Sequence, residues 1–553
     1  MALAPLLALL TLAAPLAAQQ PQHPLVALRL DDPAYVQLSS LERMGCDEAR
    51  VSPYRPYEVR RVREALDRAG TNARCAGPIL DALRKRFAAD TVAPLDTAGV
   101  APDLAAAAAA TAAMRGRPSR SGVDGAITLR LTGLGKGDFR PMWKGVQPTD
   151  SGTPPFVGVL RLRATVDGGD NLVAVVGGYA ESNRRNDPRV RMKRLRKSEA
   201  VLDFDDAYIT GKLGLATITL GRGSEAWLGE GDESIALSAH GPPLDRIAAS
   251  AVWKRLEGRA LVATINDVTL DLALDSLVGE PPAQRYRRVL LGHALTYRHS
   301  PRVEFTIGET ALLARTNTIF DLAYANPLMP YVFTQNDTSR AGTEARDNLQ
   351  VFAATRFPLG PARVTGELLV DDIQIDPADR AVTPDQLAWR LAASTPVPLA
   401  RPASAGVEYR HVNSYTYLRG QYTEVYQSYD APLGSELGPD ADLLRASLDL
   451  WLGGTTRVSF GVGSWRQGAL RIYQRPAQSA NFNAGRPYPT TSAERPAVQR
   501  ALLGDVAIQM LRTALPVSLR VETARVDNAA NQFALPAMYV RAQLIGSYAF
   551  RYP

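Results

Sequence analysis

Cysteine is almost missing from this chain: Cys46 and Cys75 are the only two in 553 residues, and both lie near the amino terminus. Histidine is scarce as well, with His23, His240, His293, His299 and His411 the only five, none paired at metal-ligand spacing. So few soft ligands argue against a zinc or other transition-metal centre, and no cofactor is expected. Neither a G-x-S-x-G elbow nor a phosphate-cradling P-loop occurs. No charge of one sign dominates: 63 Lys and Arg face 56 Asp and Glu, for a net +7 and a pI near 9.3. That mild excess does not imply a nucleic-acid partner and leaves a membrane or an acidic glycan equally open. Beyond the amino terminus no run of 18 apolar residues exists, which excludes a membrane-spanning helix. The nearest, the Ala-rich Leu104–Met114, is too short to cross. A secreted chain lacking such a helix still becomes an integral membrane protein if its strands close a barrel.

What is present points that way. Met538–Phe550 alternates Val540, Ala542, Leu544, Gly546, Tyr548 and Phe550 with partners that include Arg541, Gln543 and Ser547. A strand's side chains have period two, so one face is apolar and the other polar. The length, the terminal aromatics and the position fit the closing strand of an outer-membrane barrel. Leu160, Leu162, Ala164 and Val166 alternate with Arg161, Arg163, Thr165 and Asp167, and Val517, Leu519 and Val521 with Ser518, Arg520 and Glu522. Arginines in register on one face are costly in a dry core and reasonable in a wet lumen.

The pattern predicts an all-β transmembrane barrel of about 18 antiparallel strands: 126–134, 157–167, 171–181, 199–209, 213–221, 246–256, 259–268, 286–298, 302–309, 347–357, 361–371, 404–412, 416–427, 441–452, 456–466, 498–511, 516–526 and 536–550. Short connections such as 167–170, 358–360, 413–415 and 453–455 alternate with long ones such as 182–198, 310–346 and 372–403. Outer-membrane barrels keep short turns in the periplasm and long loops outside.

Ahead of the strands, Met1–Gln20 is expected to be a secretory signal cut near Ala18, although no Lys or Arg precedes its apolar run. Residues 21–90 are expected to form a small periplasmic α-helical bundle. Asp31-Asp32-Pro33 caps a first helix carrying Tyr35, Leu38, Leu41 and Met44, which Gly45 stops. A second runs from about Pro56 to Ala69, and a third from about Gly77 to Ala88 with Ile79, Leu80, Leu83 and Phe87. Cys46 and Cys75 could bond in an oxidising compartment, although spacing alone does not bring them into range. Residues 91–122, rich in Ala, Pro, Gly and Ser, form a linker, and 123–553 form the barrel.

The run I-T-L-G-R-G-S-E-A-W-L-G-E-G-D-E-S-I-A-L-S-A-H-G-P-P (Ile218–Pro243) resembles the capsule assembly protein Wzi family. D-F-D-D-A-Y (Asp203–Tyr208), N-P-L-M-P-Y (Asn326–Tyr331), D-N-L (Asp347–Leu349) and E-L-L-V-D-D-I-Q (Glu367–Gln374) follow in the family's order and spacing. The resemblance implies an 18-stranded outer-membrane barrel with a small helical bundle and a lectin-like, non-enzymatic role in holding capsular polysaccharide at the cell surface. In place of the family's W-G-x-G turn, this chain has Trp227-Leu228-Gly229-Glu230-Gly231.

Candidate polysaccharide contacts follow. Trp227 lies in a Gly-rich loop where an indole could stack on a sugar face, with Arg222, Glu225, Glu230 and Asp232 near to take hydroxyls; packing the loop into the mouth is the competing role. Asn326 and Tyr331 sit in the longest loop. Arg184, Arg185, Arg189, Arg191 and Lys193 belong to a cationic loop suited to an acidic polysaccharide or lipopolysaccharide phosphates. Asp203, Asp205, Asp206, Asp371 and Asp372 are read as lumen charge rather than catalytic carboxylates. The expected partners are capsular or extracellular polysaccharide, outer-membrane lipid and lipopolysaccharide, around a monomeric barrel. A porin-like channel is the alternative, and a barrel hydrolase is a third reading.

Overall fold

The computed structural model describes residues 22–88, 121–136, 156–182, 200–229, 234–239, 241–270, 284–316, 324, 326, 328–335, 346–373, 385–418, 422–429, 431–472, 488–511 and 515–552. The expected signal and most of the expected linker lie outside them.

Eighteen antiparallel strands form the wall. In chain order they are β1 (Gly122–Lys136), β2 (Phe156–Asp167), β3 (Leu172–Glu181), β4 (Val201–Leu213), β5 (Ala216–Gly223), β6 (Leu244–Trp253), β7 (Leu256–Thr264), β8 (Gln284–Ser300), β9 (Val303–Arg315), β10 (Arg346–Leu359), β11 (Ala362–Asp372), β12 (Gln386–Pro396), β13 (Ala403–Val412), β14 (Ala441–Trp451), β15 (Thr456–Gln467), β16 (Gln499–Met510), β17 (Val517–Asp527) and β18 (Ala537–Tyr552). Each pairs with the next, and β18 pairs with β1, Ile127 opposite Tyr548 and Leu131 opposite Leu544, so the sheet has no free edge. A three-residue strand, Val268–Leu270, extends the sheet beside the start of β8.

Period-two alternation sets the faces. Leu160, Leu162 and Val166 of β2 are exposed on the outside. Arg161 and Arg163 point inward, where Arg163 donates to the Ala27 carbonyl at 2.9 Å and the Tyr208 hydroxyl at 2.7 Å. The exposed apolar positions around the wall form the belt that meets lipid, and the chain is an outer-membrane protein.

One strand of the eighteen differs in position from the sequence expectation. Residues 416–427 are not a wall strand, and 386–396, placed in a long loop, are β12. The segment Tyr417, Leu418, Val425 and Tyr426 has strong β-formers, yet all four are buried inside the lumen. Tyr417 has φ 71°, which no continuous strand tolerates. β12 carries little strand signal in the sequence, because Ala388, Ala392, Ala393 and Ser394 give little hydrophobic contrast between its faces. Residues 413–415 accordingly begin a long loop, 413–440, and the short turn nearby is 397–402. The count of strands and the alternation of short with long connections are unchanged.

The amino-terminal helices form where capping and periodicity place them. α1 (Pro33–Arg43) has Asp32 as its cap, accepting from the Ala34 amide at 2.8 Å, with Pro33 in the first turn. α2 (Val59–Gly70) buries Val59, Val62, Ala65, Leu66 and Ala69; α3 (Pro78–Phe87) buries Ile79, Leu80, Leu83 and Phe87. Cys46 and Cys75 are bonded, their Cα atoms 4.9 Å apart. The bond closes a 29-residue separation, so removing it should cost the bundle about 2–4 kcal/mol. Cys46→Ser with Cys75→Ser is therefore expected to let protease cut 22–88 while the wall stays intact; equal resistance would refute this.

The helices do not stand apart from the barrel. They seat at the short-turn end, and their core takes in Trp451 and Leu511 from the wall. Gln37 donates to the Gly454 carbonyl at 2.8 Å, and Arg50 reaches Glu304 at 3.0 Å. Arg363 reaches Asp47 at 2.7 Å, and Arg356 reaches Glu42 and Asp47 at 3.1 and 3.0 Å.

Candidate functional site

Two long loops fold inward from the other end. The β5–β6 loop, residues 224–243, carries Trp227 into the lumen, and the β13–β14 loop, residues 413–440, packs beside it. They interlock: the Tyr417 hydroxyl donates to the Ile235 carbonyl at 2.6 Å, Tyr426 to Ala236 at 3.0 Å, and Ser238 to Gly434 at 2.6 Å. The wall holds them through backbone acceptors. Arg288 donates to the carbonyls of Val425 and Gln427 at 2.6 and 2.9 Å, and Asn348 donates to Glu424 at 2.9 Å.

These loops meet the amino-terminal segment inside the barrel. Tyr54 and Arg55 pair as a short antiparallel bridge with Trp227 and Ala226, and the Leu228 amide donates to Pro53 at 2.8 Å. Trp227 is 0 % exposed, with Tyr54 and Phe352 edge-on to it at 5.9 and 6.2 Å between ring centres. Gly292 permits this approach: a Cβ there would lie 2.8 Å from the indole. The core around Trp227 draws on Leu290, Leu312, Phe352, Leu369, Ala388 and Val412, one from each of the six strands β8–β13. An apolar plug, built by the two long loops and the wall and met from the other end by Tyr54, therefore occupies the lumen.

Charge beside the plug is neutralised locally. Glu225, buried, accepts from Arg246 at 2.8 Å and Arg259 at 2.7 Å, and Trp227 Nε1 donates to it at 3.3 Å. Burial, the largest influence, raises this carboxyl, but Arg259 and Arg246 more than offset it and hold it below the usual range.

The residues singled out in the sequence do not converge. Trp227 is the keystone of the plug and shows no face to solvent. Arg222, at the long-loop end of β5, forks onto Asp245 at 2.6 and 2.8 Å, with Asp203 3.8 Å away. Tyr331 is 2 % exposed and packs on Val289, Leu291, Ala311 and Leu313 at the outside of the wall, not in the lumen. Asn326 is exposed and its side chain accepts from the Leu328 amide at 3.0 Å. Glu230, Asp232, Arg184, Arg185, Arg189, Arg191 and Lys193 lie outside the described residues. The aspartates have structural partners: Asp205 takes Arg29 at 2.8 Å, Asp206 lies 3.3 Å from Arg163, and Asp371 accepts from the Tyr417 amide at 2.7 Å.

A polar cleft of about 180 Å³ remains between the segment ahead of α1 and the wall. Arg29, Asp31, Arg161, Tyr179, Asp205 and Tyr208 line it, and Ala239, Gly241, Pro242 and Pro243 of the β5–β6 loop bound it. The Arg161 guanidinium lies 5.6 Å over the Tyr179 ring. Rings, carboxylates and guanidinium groups together suit a polyhydroxylated ligand. Arg161 was legible as a lumen residue from its alternation. Arg29 and Asp31 were not, because nothing in the sequence says the chain before α1 climbs the inner wall. A larger cavity of about 580 Å³, between α2 and the short turns, lies at the opposite end.

The profile of the capsule assembly protein Wzi family matches residues 156–528. The chain belongs to that family. No curated protein sequence matches it. Among solved structures it is similar to Wzi of Escherichia coli, described as a carbohydrate-binding β-barrel of the outer membrane involved in group 1 capsule assembly, at TM-score 0.57 and 11% identity over 95% of this chain and 100% of that one. At that identity the likeness to Wzi is one of fold. Acinetobacter baumannii OccAB4 (TM-score 0.43, 9% identity, 78% of this chain and 98% of that one) and Pseudomonas aeruginosa OprD (0.42, 11%, 78% and 93%) are more distant.

One group in the mouth should respond to pH. Asp440, in the β13–β14 loop, accepts from the Thr490 amide at 2.9 Å and the Leu470 amide at 3.1 Å. Burial pushes its carboxyl up to about 6, against those hydrogen bonds. A raised carboxyl adds stability that is full below its ordinary value near 3.8 and is lost as pH rises through about 6. Hydrogen exchange of 468–472 and 488–490 is therefore expected to be slower at pH 5 than at pH 7.5, beyond its intrinsic pH dependence. Asp440→Asn should flatten the difference; an unchanged one would contradict this.

Proposed function

We propose that the protein is a non-enzymatic, lectin-like component of the outer membrane that holds capsular or extracellular polysaccharide at the cell surface. The observation that carries this reading is the plug around Tyr54 and Trp227. A barrel filled from both ends by interlocked segments is suited to presenting a fixed surface rather than to passing solutes. The same observation disfavours a porin-like channel. Family membership and the carbohydrate binding described for the Escherichia coli protein support the choice of ligand. The polar cleft beside Arg161 and Tyr179 has suitable chemistry for part of a glycan chain, and the cationic loop 184–193 would favour an acidic one. Reading this as a single-barrel activity needs no second copy.

The direct test compares cell-bound and shed polysaccharide in a deletion strain, with a glycan array on the purified protein. Loss of retention together with glycan binding is expected. Unchanged retention and an empty array would overturn the reading.

A further inference from the structure

The long β9–β10 loop does not rise over the mouth where it is described. It folds down the outside of the wall. Leu290 and Leu312 face the plug, so their neighbours Val289, Leu291, Ala311 and Leu313 face outward by alternation. Tyr324 and Tyr331 cover those outward residues together with Leu349, and Tyr331 is 2 % exposed. Two carboxylates on the outer face, Asp347 and Glu309, fasten the segment. The Tyr324 hydroxyl donates to Asp347 at 2.7 Å, and Arg315 donates to the same carboxylate at 2.6 Å. The Tyr331 amide, opening the short helix Tyr331–Gln335, donates to Glu309. His293, directly opposite Glu309 in the register, packs its ring 4.4 Å from Tyr331.

Glutamate and histidine facing outward halfway along β8 and β9 are at odds with a lipid-facing wall, where charged groups are strongly disfavoured. Their presence there is accounted for by the segment that covers them. Its own outer surface is apolar: Leu328 is 89 % exposed and Phe333 64 %, with Met329 and Val332 also exposed. Toward the short-turn end the same wall exposes Leu295, Phe305 and Ile307, which belong to the lipid belt. Toward the loop end, Arg285 and Arg287 mark the polar boundary. The covering segment thus lies between belt and boundary, at the depth of the outer leaflet.

We propose that Tyr324 and residues 328–335 form a membrane-inserted clip, with Leu328, Met329, Val332 and Phe333 replacing the covered wall residues as the surface that meets acyl chains of the outer leaflet. Glu309 and His293 are its latch. The occupant is lipid because the clip's exposed face is continuous with the belt. A second copy of the chain is the competing occupant.

The test places a nitroxide on Phe333→Cys in the full chain, reconstituted in phosphatidylcholine–phosphatidylglycerol vesicles. Both native cysteines are in the disulfide, so labelling is selective. Leu295→Cys gives the lipid reference, and Leu399→Cys, in the 397–402 turn, the water reference. Power saturation at 333 should match Leu295, with high collision with oxygen and low collision with a water-soluble nickel chelate. A profile like Leu399 would overturn the proposal, as would dipolar broadening between labels, which would put a second copy on this face. Phe333 is largely exposed and belongs to no buried cluster among the described residues, so the label itself should not unfold the barrel.

Discussion

Trp227→Ala is expected to cost the lumen plug about 3–5 kcal/mol, in the range for truncating a buried aromatic. The indole is fully buried, touches Tyr54 and Phe352, and fills the space left by the missing side chain of Gly292. The cavity cannot close easily, because the surrounding residues belong to strands fixed in a closed sheet. The loss should be local rather than global. The bridge to Tyr54 and Arg55 would weaken, and the β5–β6 loop would lose its hold on the bundle. Amide exchange in 226–228 and 234–237 should accelerate by on the order of a hundredfold or more, while β15–β17 stay protected. Exchange rates in 226–237 that match the parent chain would show that Trp227 does not hold the plug.

Arg363→Ala should undo the other half of the assembly. Arg363 and Arg356 enclose Asp47, and Arg363 also donates to the Glu42 carbonyl, all at the buried contact between α1 and the wall. Asp47 and Glu42 are 8 % and 5 % exposed. Breaking a buried ion pair typically costs about 3–5 kcal/mol; Asp47 keeps Arg356 at 3.0 Å and Arg302 at 3.3 Å, so the loss should fall at the lower end of that range. The bundle should then detach from the short-turn end and become open to protease at low salt and high salt alike, since buried pairs are screened little. Arg363→Met tests the cause: if it destabilises far less than Arg363→Ala, lost packing of the stem rather than lost charge is responsible.

The wall was legible in the sequence because its constraint is local. Lipid outside and water inside force alternation on each strand, so Leu160–Val166 and Leu519–Val521 announce their faces without any neighbour. The helices of the bundle were legible for the same reason, through Asp32, Pro33 and their apolar periodicity. The plug was not. Tyr417, Leu418, Val425 and Tyr426 carry strand-forming side chains, and only the tertiary contacts with Ile235, Ala236 and Trp227 show them as core. Trp227 could be read from sequence as a sugar platform or a packing residue, and its neighbours decide for packing. β12 failed in the opposite direction, because small residues on both faces erase the signal. The chain before α1 illustrates the remaining limit: Arg29 and Asp31 meet Arg161 and Asp205 across more than a hundred residues, and no spacing rule reaches that far.

The barrel is closed by a plug that the long loops build and the amino-terminal segment meets at Tyr54 and Arg55. Single-channel recording of the purified full-length protein in a planar bilayer tests it most directly. The predicted result is no stable conductance step in the parent chain, and steps appearing when residues 22–88 are removed together with Trp227→Ala. A steady ohmic conductance of porin size from the intact protein would contradict the account.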